Sequence, residues 1–363
     1  MKVFEPEPAS IEVAAPGGPY TIALGPGQLG RLGVWLERWG LTPGPAAVVA
    51  EPKLQVLYGK QVVEALREAG YEPYLCEVPG GEAHKTLATV ASLYERFAGL
   101  GLDRRAPVVA LGGGVTGDLA GFAAASWLRG VPFVQIPTSL LAMVDSSVGG
   151  KTGVDLPAGK NLVGAFKQPA GVLIDPRVLQ TLPDAEVRAG LAEVLKHGLI
   201  GDGALFARLE QGVEGLDDVG WAELVHDAVL VKVEVVAEDP FEQGRRAVLN
   251  LGHTFGHAFE LLSGFALRHG EAVGVGLIAA ADLAERLGRA EAGLSARVEA
   301  ALEALGLPTR LSFEVAAARR AMASDKKKRG KTLRFVIPTA VGAVELIDDP
   351  GESVDAALAR VRA

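Results

Sequence analysis

Four polar residues in the segment RAVLNLGHTFGHAFE stand out for their spacing. Arg246, Asn250, His253 and His257 are separated by 4, 3 and 4 positions, so one continuous helix would align them on a single face. Two histidines at i and i+4 can ligate one metal ion, although such a pair is more often structural or solvated. Four of the six histidines, His197, His253, His257 and His269, fall in three polar motifs of the second half of the chain. His197 stands beside Glu193 and Lys196 in AEVLKHG, and His269 in RHGEAVGVG. An Ala- and Leu-rich helix carrying Glu, Lys and His within one turn is costly to bury unless they pair or bind metal. The single cysteine, Cys76, excludes a cysteine-rich structural zinc site. A mixed His/Glu set with an open position is instead the catalytic pattern, suited to polarising a substrate oxygen. The spacing does not choose which two histidines ligate.

A second group of motifs lies upstream. GGGVTGD follows the strand-like VVAL and satisfies G-x-G-x-x-G through Gly112, Gly114 and Gly117. Glycines there let a chain turn tightly and present N–H groups to a pyrophosphate at a helix N-terminus. A purely structural turn competes with that reading, and the acidic residue expected about 20 positions on is missing. VGGKT suggests a P-loop, but Asp145 occupies the position of its first glycine, so the Walker pattern fails. What remains is Lys151, with Lys160 and Asn161 in GKNLVGAF, in glycine-rich loops suited to phosphate or carboxylate oxygens. Asparagine occurs only at positions 161 and 250, both within these polar motifs.

The elements that must position these residues divide the chain. IEVAAPGGPYTIALG alternates like a hairpin with a Pro-Gly-Gly turn. The runs PAAVVAE, YEPYLCEVP, APVVALGGG, VPFVQIPTS and GVLIDP then read as short buried strands. Two of the gaps hold amphipathic helices, LYGKQVVEALREAG and HKTLATVASLYERFAGLGL. That alternation predicts a parallel, doubly wound sheet. After Leu182-Pro183 long segments of helical spacing dominate, and LRFVIPTAVGAVELI reads as two strands or extended arms without a place in either domain. The expected organisation is a Rossmann-like α/β nucleotide-binding domain at 1–179 and an all-α metal- and substrate-binding domain at 180–363.

With 363 residues, 49% of them hydrophobic, the chain has material for two cores. A net charge of −8 provides no global field for nucleic acid or an anionic membrane, so an anionic ligand must be caught by local basic residues. One cysteine fits a reducing compartment. The N-terminus lacks the apolar run of a signal peptide, and apolar stretches break before the length of a membrane span. A soluble, cytoplasmic protein with neither nucleic-acid nor membrane partners is expected.

PGGEAHK, GGGVTGD, SWLRGVPFVQIPTSLLAMVDSSVGGKTGVD, GKNLVGAF, AEVLKHG, RAVLNLGHTFGHAFE and RHGEAVGVG follow the order and spacing of the 3-dehydroquinate synthases, and the chain resembles that family over residues 10 to 345. The resemblance implies a site in the cleft between two domains, with NAD and zinc, or cobalt in its place, as cofactors. It implies Glu193, His253 and His269 as metal ligands. NAD would lie against Gly80, Gly81, Glu82, Ala83, His84, Lys85, Gly114, Val115, Thr116, Gly117 and Asp118. The same surface would include Thr138, Ser139, Asp145, Lys151, Lys160, Val178, Leu179, Gln180 and, near the adenosine end, Thr181. A seven-carbon sugar-acid phosphate would be held by Lys151, Asn161, Lys196, Lys232, Arg246, Asn250 and a lysine of Asp325-Lys326-Lys327, with His257 either contacting it or standing behind a metal ligand. Arg129 would reach it from the second subunit of a homodimer. The chain departs from the family after PAAVVA, where Glu51 replaces the usual Asp; its role stays open.

Three other functions compete. A related sugar-phosphate cyclase would act on a substrate without the carboxylate, which Lys232, Arg246 and Asn250 argue against. A metal-dependent polyol dehydrogenase would release NADH. A nucleic-acid binder would rely on KKKRGK at 326–331, a basic run lacking aromatic interleaving.

Overall fold

The computed structural model describes residues 8–329, 333–348 and 350–363, without the side chains of 324–329. The chain forms two compact units, one comprising residues up to Leu182 with Asp217–Val229, the other Pro183–Leu216 with Leu230–Ala363.

The first unit begins with β1 (Ala9–Val13) and β2 (Tyr20–Leu24), paired antiparallel as the turn chemistry predicts. Helix α1 (Leu32–Arg38) leads to β3 (Pro45–Ala50), followed by the short α2 (Pro52–Leu54), α3 (Lys60–Glu68) and β4 (Glu72–Glu77). Then come α4 (Leu87–Gly99), β5 (Val108–Gly112), α5 (Gly114–Ser126) and β6 (Phe133–Pro137). A hairpin of β7 (Lys151–Leu156) and β8 (Gly159–Phe166) precedes β9 (Gly171–Ile174). The main sheet has seven strands in the order β1-β2-β9-β6-β5-β3-β4, parallel except for β1 against β2.

Strands β3, β5, β6 and β9 are buried almost throughout, which explains their unbroken apolar sequences: a sheet covered on both faces needs no polar alternation. One core joins Phe97, Leu93 and Val90 of α4 to Leu119 and Ala123 of α5 and to Val108 and Phe133. From β3 the chain moves outward to β4, whereas β5, β6 and β9 progress the other way. The reversal puts a crevice beyond the carboxyl ends of β3 and β5, where open α/β sheets bind ligands.

The second unit contains α6 (Asp184–Gly201) and α7 (Gly203–Leu209), and part of α8 (Asp218–Glu238). It continues with α9 (His253–Leu262), α10 (His269–Arg286), α11 (Leu294–Ala304) and α12 (Val315–Arg329). Of the two readings of the late apolar segment, strands hold: β10 (Arg334–Ala340) and β11 (Ala343–Asp348) pair antiparallel before α13 (Ser353–Arg360), so this unit is mainly helical rather than all-α as expected. Helix α10 is buried from Ala272 to Ala284 and packs against α6, α9 and α11; its small apolar residues all round suit a central helix.

Candidate active-site residues

In the helical unit, Glu193, His253 and His269 each offer a ligand atom within 4.8 Å of the others. They arrive on three helices, α6, α9 and α10, whose backbones must approach closely. At Gly270 a Cβ would fall 1.9 Å from the Ala189 carbonyl oxygen, so only glycine lets the start of α10 meet α6. At Gly252, with φ +78°, a Cβ would meet Leu277 Cδ2 at 2.9 Å and the Val273 carbonyl oxygen at 3.0 Å. The left-handed turn there separates a 3-10 turn, Arg245–Asn250, from α9.

That break corrects the expectation of a single helix face. His253 and His257 share α9, while Arg246 and Asn250 belong to the 3-10 turn before it. Arg246 is 2% exposed; its Nη1 donates to the Pro240 carbonyl at 2.6 Å and its backbone N–H to Asp239. Asn250 Nδ2 lies 3.4 Å from Glu242 Oε1. Asp239 also accepts backbone hydrogen bonds from Gln243 and Gly244, which hold its carboxyl below the usual range.

Glu193 is fully buried, with Lys196 Nζ 2.5 Å from Oε2. Its Oε1 has no hydrogen-bond partner among the described residues and lies 3.8 Å from His253 Nε2 and 3.5 Å from His269 Nε2. His253 turns its other nitrogen, Nδ1, to the Leu251 carbonyl at 3.1 Å, and His269 turns Nδ1 to Glu260 Oε2 at 3.5 Å. Both rings therefore present Nε2 to one orphaned carboxylate oxygen, a donor set that can hold a divalent cation. His257 stacks edge-on to His253 with ring centroids 5.5 Å apart, beside the ligand-capable trio.

Burial drives the His253 ring down to about 3, so it stays neutral. Burial also opposes charge on His269, but the carboxylates of Glu193 and Glu260 outweigh it and raise that ring to about 10. For Glu193, burial is overridden by Lys196 and the two rings, which hold the carboxyl well below its normal range. Lys196 and Lys232 are 1% and 5% exposed. Concentrating buried cations in an acidic protein is expensive without anionic partners.

In the α/β unit the glycine motif lies where a strand gives way to a helix: β5 ends at Gly112 and α5 starts at Gly114. A Cβ at Gly112 would strike Thr116 at 2.5 Å, so the turn cannot take a larger residue. Thr116 Oγ1 and Ser147 Oγ are buried without hydrogen-bond partners among the described residues. Thr138 donates its N–H to the Gly112 carbonyl, and Ser139 Oγ accepts from Ala142. Asp145 lies in the turn Ala142–Ser146 that follows.

Lys85 anchors this region. Its ammonium lies 2.6 Å from Asp118 Oδ2, 2.5 Å from Asn161 Oδ1 and 3.8 Å from Glu82. Burial pushes the Asp118 carboxyl up to about 6 despite Lys85, and Lys85 itself is raised because its acidic neighbours outweigh burial. Lys151, Lys160 and Asn161 do not occupy irregular loops as expected: Lys151 opens β7, and Lys160 and Asn161 lie at the start of β8. Gly153 and Gly164 face each other across that hairpin, so the glycines serve close strand pairing rather than loop freedom. Asn161 adopts φ +54° and donates its backbone N–H to Asp155.

Two residues the sequence reading left unassigned border the same region. Glu51 follows β3, which pairs with β5, and a Cβ on Gly80 would fall 2.2 Å from Glu51 Oε2. Tyr58 donates its hydroxyl to the Val178 carbonyl at 3.2 Å and makes a short contact with Thr181 Oγ1, while Gln180 bonds Asp218. Arg129 occupies a run of left-handed residues, Leu128, Arg129 and Gly130. The basic run near 326 has no described side chains, so the lysine expected there lies outside the described residues.

Models of the 3-dehydroquinate synthase N-terminal and C-terminal domains match residues 75–189 and 190–328. A 3-dehydroquinate synthase from Synechococcus sp. is 48% identical over 347 residues, covering 93% of this chain and 94% of that one. The chain belongs to the 3-dehydroquinate synthase family. Among solved structures it is similar to a 2-epi-5-epi-valiolone synthase from Streptomyces hygroscopicus subsp. jinggangensis with NAD+ and Zn2+ bound. That match has a TM-score of 0.86 and 29% identity, over 94% of this chain and 96% of the other. A 2-deoxy-scyllo-inosose synthase complexed with carbaglucose-6-phosphate, NAD+ and Co2+ matches with a TM-score of 0.86 and 27% identity, over 97% and 99% of the two chains. The matches agree with the architecture of a parallel α/β sheet followed by a helical unit. No helix among the described residues is long and apolar enough to cross a membrane.

Proposed function

We propose that the protein converts 3-deoxy-D-arabino-heptulosonate 7-phosphate to 3-dehydroquinate and phosphate. The route would be transient oxidation, phosphate elimination, reduction, ring opening and intramolecular aldol closure. Together with the family membership, one observation carries the reading: the buried Glu193, with its orphaned Oε1 facing the Nε2 atoms of His253 and His269. When bound, NAD supplies a reversible hydride acceptor and zinc, or cobalt in its place, a Lewis acid.

The chain's own residues position and neutralise. Glu193, His253 and His269 hold the metal, and Lys196 balances the Glu193 charge at 2.5 Å. Gly80 to Lys85, Gly114 to Asp118, Thr138, Ser139, Asp145, Lys151, Lys160 and Val178 to Thr181 receive NAD, with the start of α5 offering N–H groups to its phosphates. Lys151, Asn161, Lys196, Lys232, Arg246 and Asn250 bind the phosphate and carboxylate of the substrate, where charge-assisted bonds are the strong ones. His257 contacts the substrate or supports the neighbouring metal ligands. Residues 1–179 form the nucleotide-binding portion of this enzyme and 180–363 the metal- and substrate-binding portion.

The deciding experiment incubates the protein with the heptulosonate phosphate and NAD, following phosphate and NADH together. Phosphate release without net NADH supports the reading; stoichiometric NADH identifies a dehydrogenase instead. The working unit is a cytoplasmic homodimer in which Arg129 serves the partner's site, its planar fork binding phosphate bidentately. Mixing inactive Arg129→Ala and His269→Ala proteins restores one intact site per mixed dimer if Arg129 acts in trans. No recovery despite demonstrated subunit exchange refutes the shared site.

A further inference from the structure

We propose that Glu260 is a positioning residue of the metal centre, accepting the Nδ1 proton of His269 so that Nε2 faces Glu193. The assignment rests on the reading of Glu193, His253 and His269 as metal ligands and adds a fourth residue that touches the ion only through His269.

Three observations carry it. Glu260 is 6% exposed, and a carboxylate so buried requires a donor or a cation. Its Oε2 lies 3.5 Å from His269 Nδ1, while His269 Nε2 lies 3.5 Å from Glu193 Oε1. The imidazole thus sits between two carboxylates, one on each nitrogen. A carboxylate accepts and never donates when ionised, so Glu260 selects the tautomer with hydrogen on Nδ1. A cation that displaces the Nε2 proton then meets a lone pair directed at the ligand position.

His257 and Glu260 follow His253 on α9 at intervals of 4 and 3, so all three share a face. Close contact of Gly256 with the backbone of Val273 and Ala272 on α10 brings that face against the helix bearing His269. The two histidines are held differently. His253 Nδ1 meets the neutral Leu251 carbonyl, set by the turn at Gly252, whereas His269 Nδ1 meets a full negative charge. Glu260 makes His269 the more basic nitrogen ligand of the pair. The backbone carbonyl of Glu260 separately accepts from Ser263 Oγ and the Phe265 N–H, so the end of α9 does not depend on the side-chain carboxylate.

The test strips the full-length protein of metal and titrates zinc against a competing chelator, for the unaltered protein, Glu260→Gln, Glu260→Ala and His269→Ala. Thermal melting of the metal-free proteins shows whether each has folded. Glu260→Ala should bind zinc roughly 10–100-fold more weakly, the usual effect of losing such a partner, with Glu260→Gln between it and the unaltered protein. The cobalt-loaded Glu260→Gln protein should show shifted ligand-field bands, which a carboxylate serving only helix packing would not move. Unchanged zinc affinity and cobalt bands in folded Glu260→Gln, with binding lost in His269→Ala, overturn the proposal. If Glu260→Ala fails to fold, Glu260→Gln decides alone. Zinc retained by His269→Ala at full affinity refutes the ligand assignment itself, a separately visible result.

Discussion

The helical unit and the α/β unit build their polar sites by opposite means. Glu193, His253 and His269 sit on three regular helices brought together by glycines at their crossings, with side chains between 0% and 35% exposed. The α/β unit places its residues on the turns after β3, β4 and β5 and on the β7–β8 hairpin, where burial varies from one residue to the next. Lys85 has a side chain 5% exposed and Lys160 one 41% exposed, and both contact Glu82. A site fixed by helix packing presents few preset ligands to a small ion. A site of turns and strand ends covers a long, flexible cofactor and tolerates solvent. Substitutions in the first should therefore remove a function outright, and those in the second should separate stability from binding.

The largest effect is expected at His269. His269→Ala should keep its circular dichroism spectrum yet lose zinc, and with it at least about 10³-fold in turnover, because a Lewis acid supplies several kcal/mol to the transition state. Full activity in the metal-free variant would show that the trio is not a catalytic metal centre.

Next is the buried ion pair of the α/β unit. Lys85→Met leaves Asp118 and Asn161 without their cation, and breaking such a pair costs about 3–5 kcal/mol, measurable by urea denaturation. The pH dependence supplies a sign. Asp118 is already raised to about 6 from an ordinary value of 3.8, so between those values the folded state binds more protons than the unfolded state. Its contribution to stability falls as pH rises through that window. Without Lys85 the carboxyl climbs further, and the variant should regain stability on acidification from pH 7 towards 5. A variant losing stability over that range would contradict the pairing.

Gly252→Ala tests whether the helix crossings, rather than the ligands alone, set the metal site. The left-handed φ of +78° and the contacts at 2.9 and 3.0 Å predict a loss of about 1–3 kcal/mol. Because the same turn orients the Leu251 carbonyl towards His253, zinc affinity should fall with stability. Destabilisation with unchanged zinc affinity would separate the crossing from the site.

These contrasts also explain what was legible in the sequence. The strands β3, β5, β6 and β9 could be read because burial on both faces leaves unbroken apolar runs, and the hairpin of β1 and β2 because Pro-Gly-Gly marks its turn. The motif glycines at 112, 114 and 117 could be placed between a strand and a helix for the same reason. Spacing failed at Gly252: a period that fits a helix does not reveal a left-handed turn forced by the packing of Leu277 and Val273. Nor could it link Glu260 to His269, which are nine positions apart and meet only because α9 and α10 pack together. Glu51 could be singled out in the sequence but not placed, because spacing along the chain does not reveal that the sheet order sets β3 beside β5.

The smallest effect is expected at Lys160, and it sharpens the comparison most directly because Lys85 is its internal control. Both ammonium groups contact Glu82 Oε1, at 3.8 Å from Lys85 and 4.0 Å from Lys160. Distance alone would rank them as equals. Burial separates them: the Lys160–Glu82 pair has side chains 41% and 43% exposed, so water screens the attraction and ordering a long side chain offsets what remains. Exposed pairs of this kind contribute about 0–1 kcal/mol. Lys160→Ala should therefore change unfolding free energy by less than about 0.5 kcal/mol, within the range of ordinary surface substitutions. Its proposed contact with NAD should still show as a weaker dissociation constant in a fluorescence titration. That pattern would assign Lys85 to holding the turn together and Lys160 to meeting the cofactor. A loss of stability in Lys160→Ala comparable to that of Lys85→Met would instead mean that the β8 strand, not the buried pair, holds this part of the unit in place.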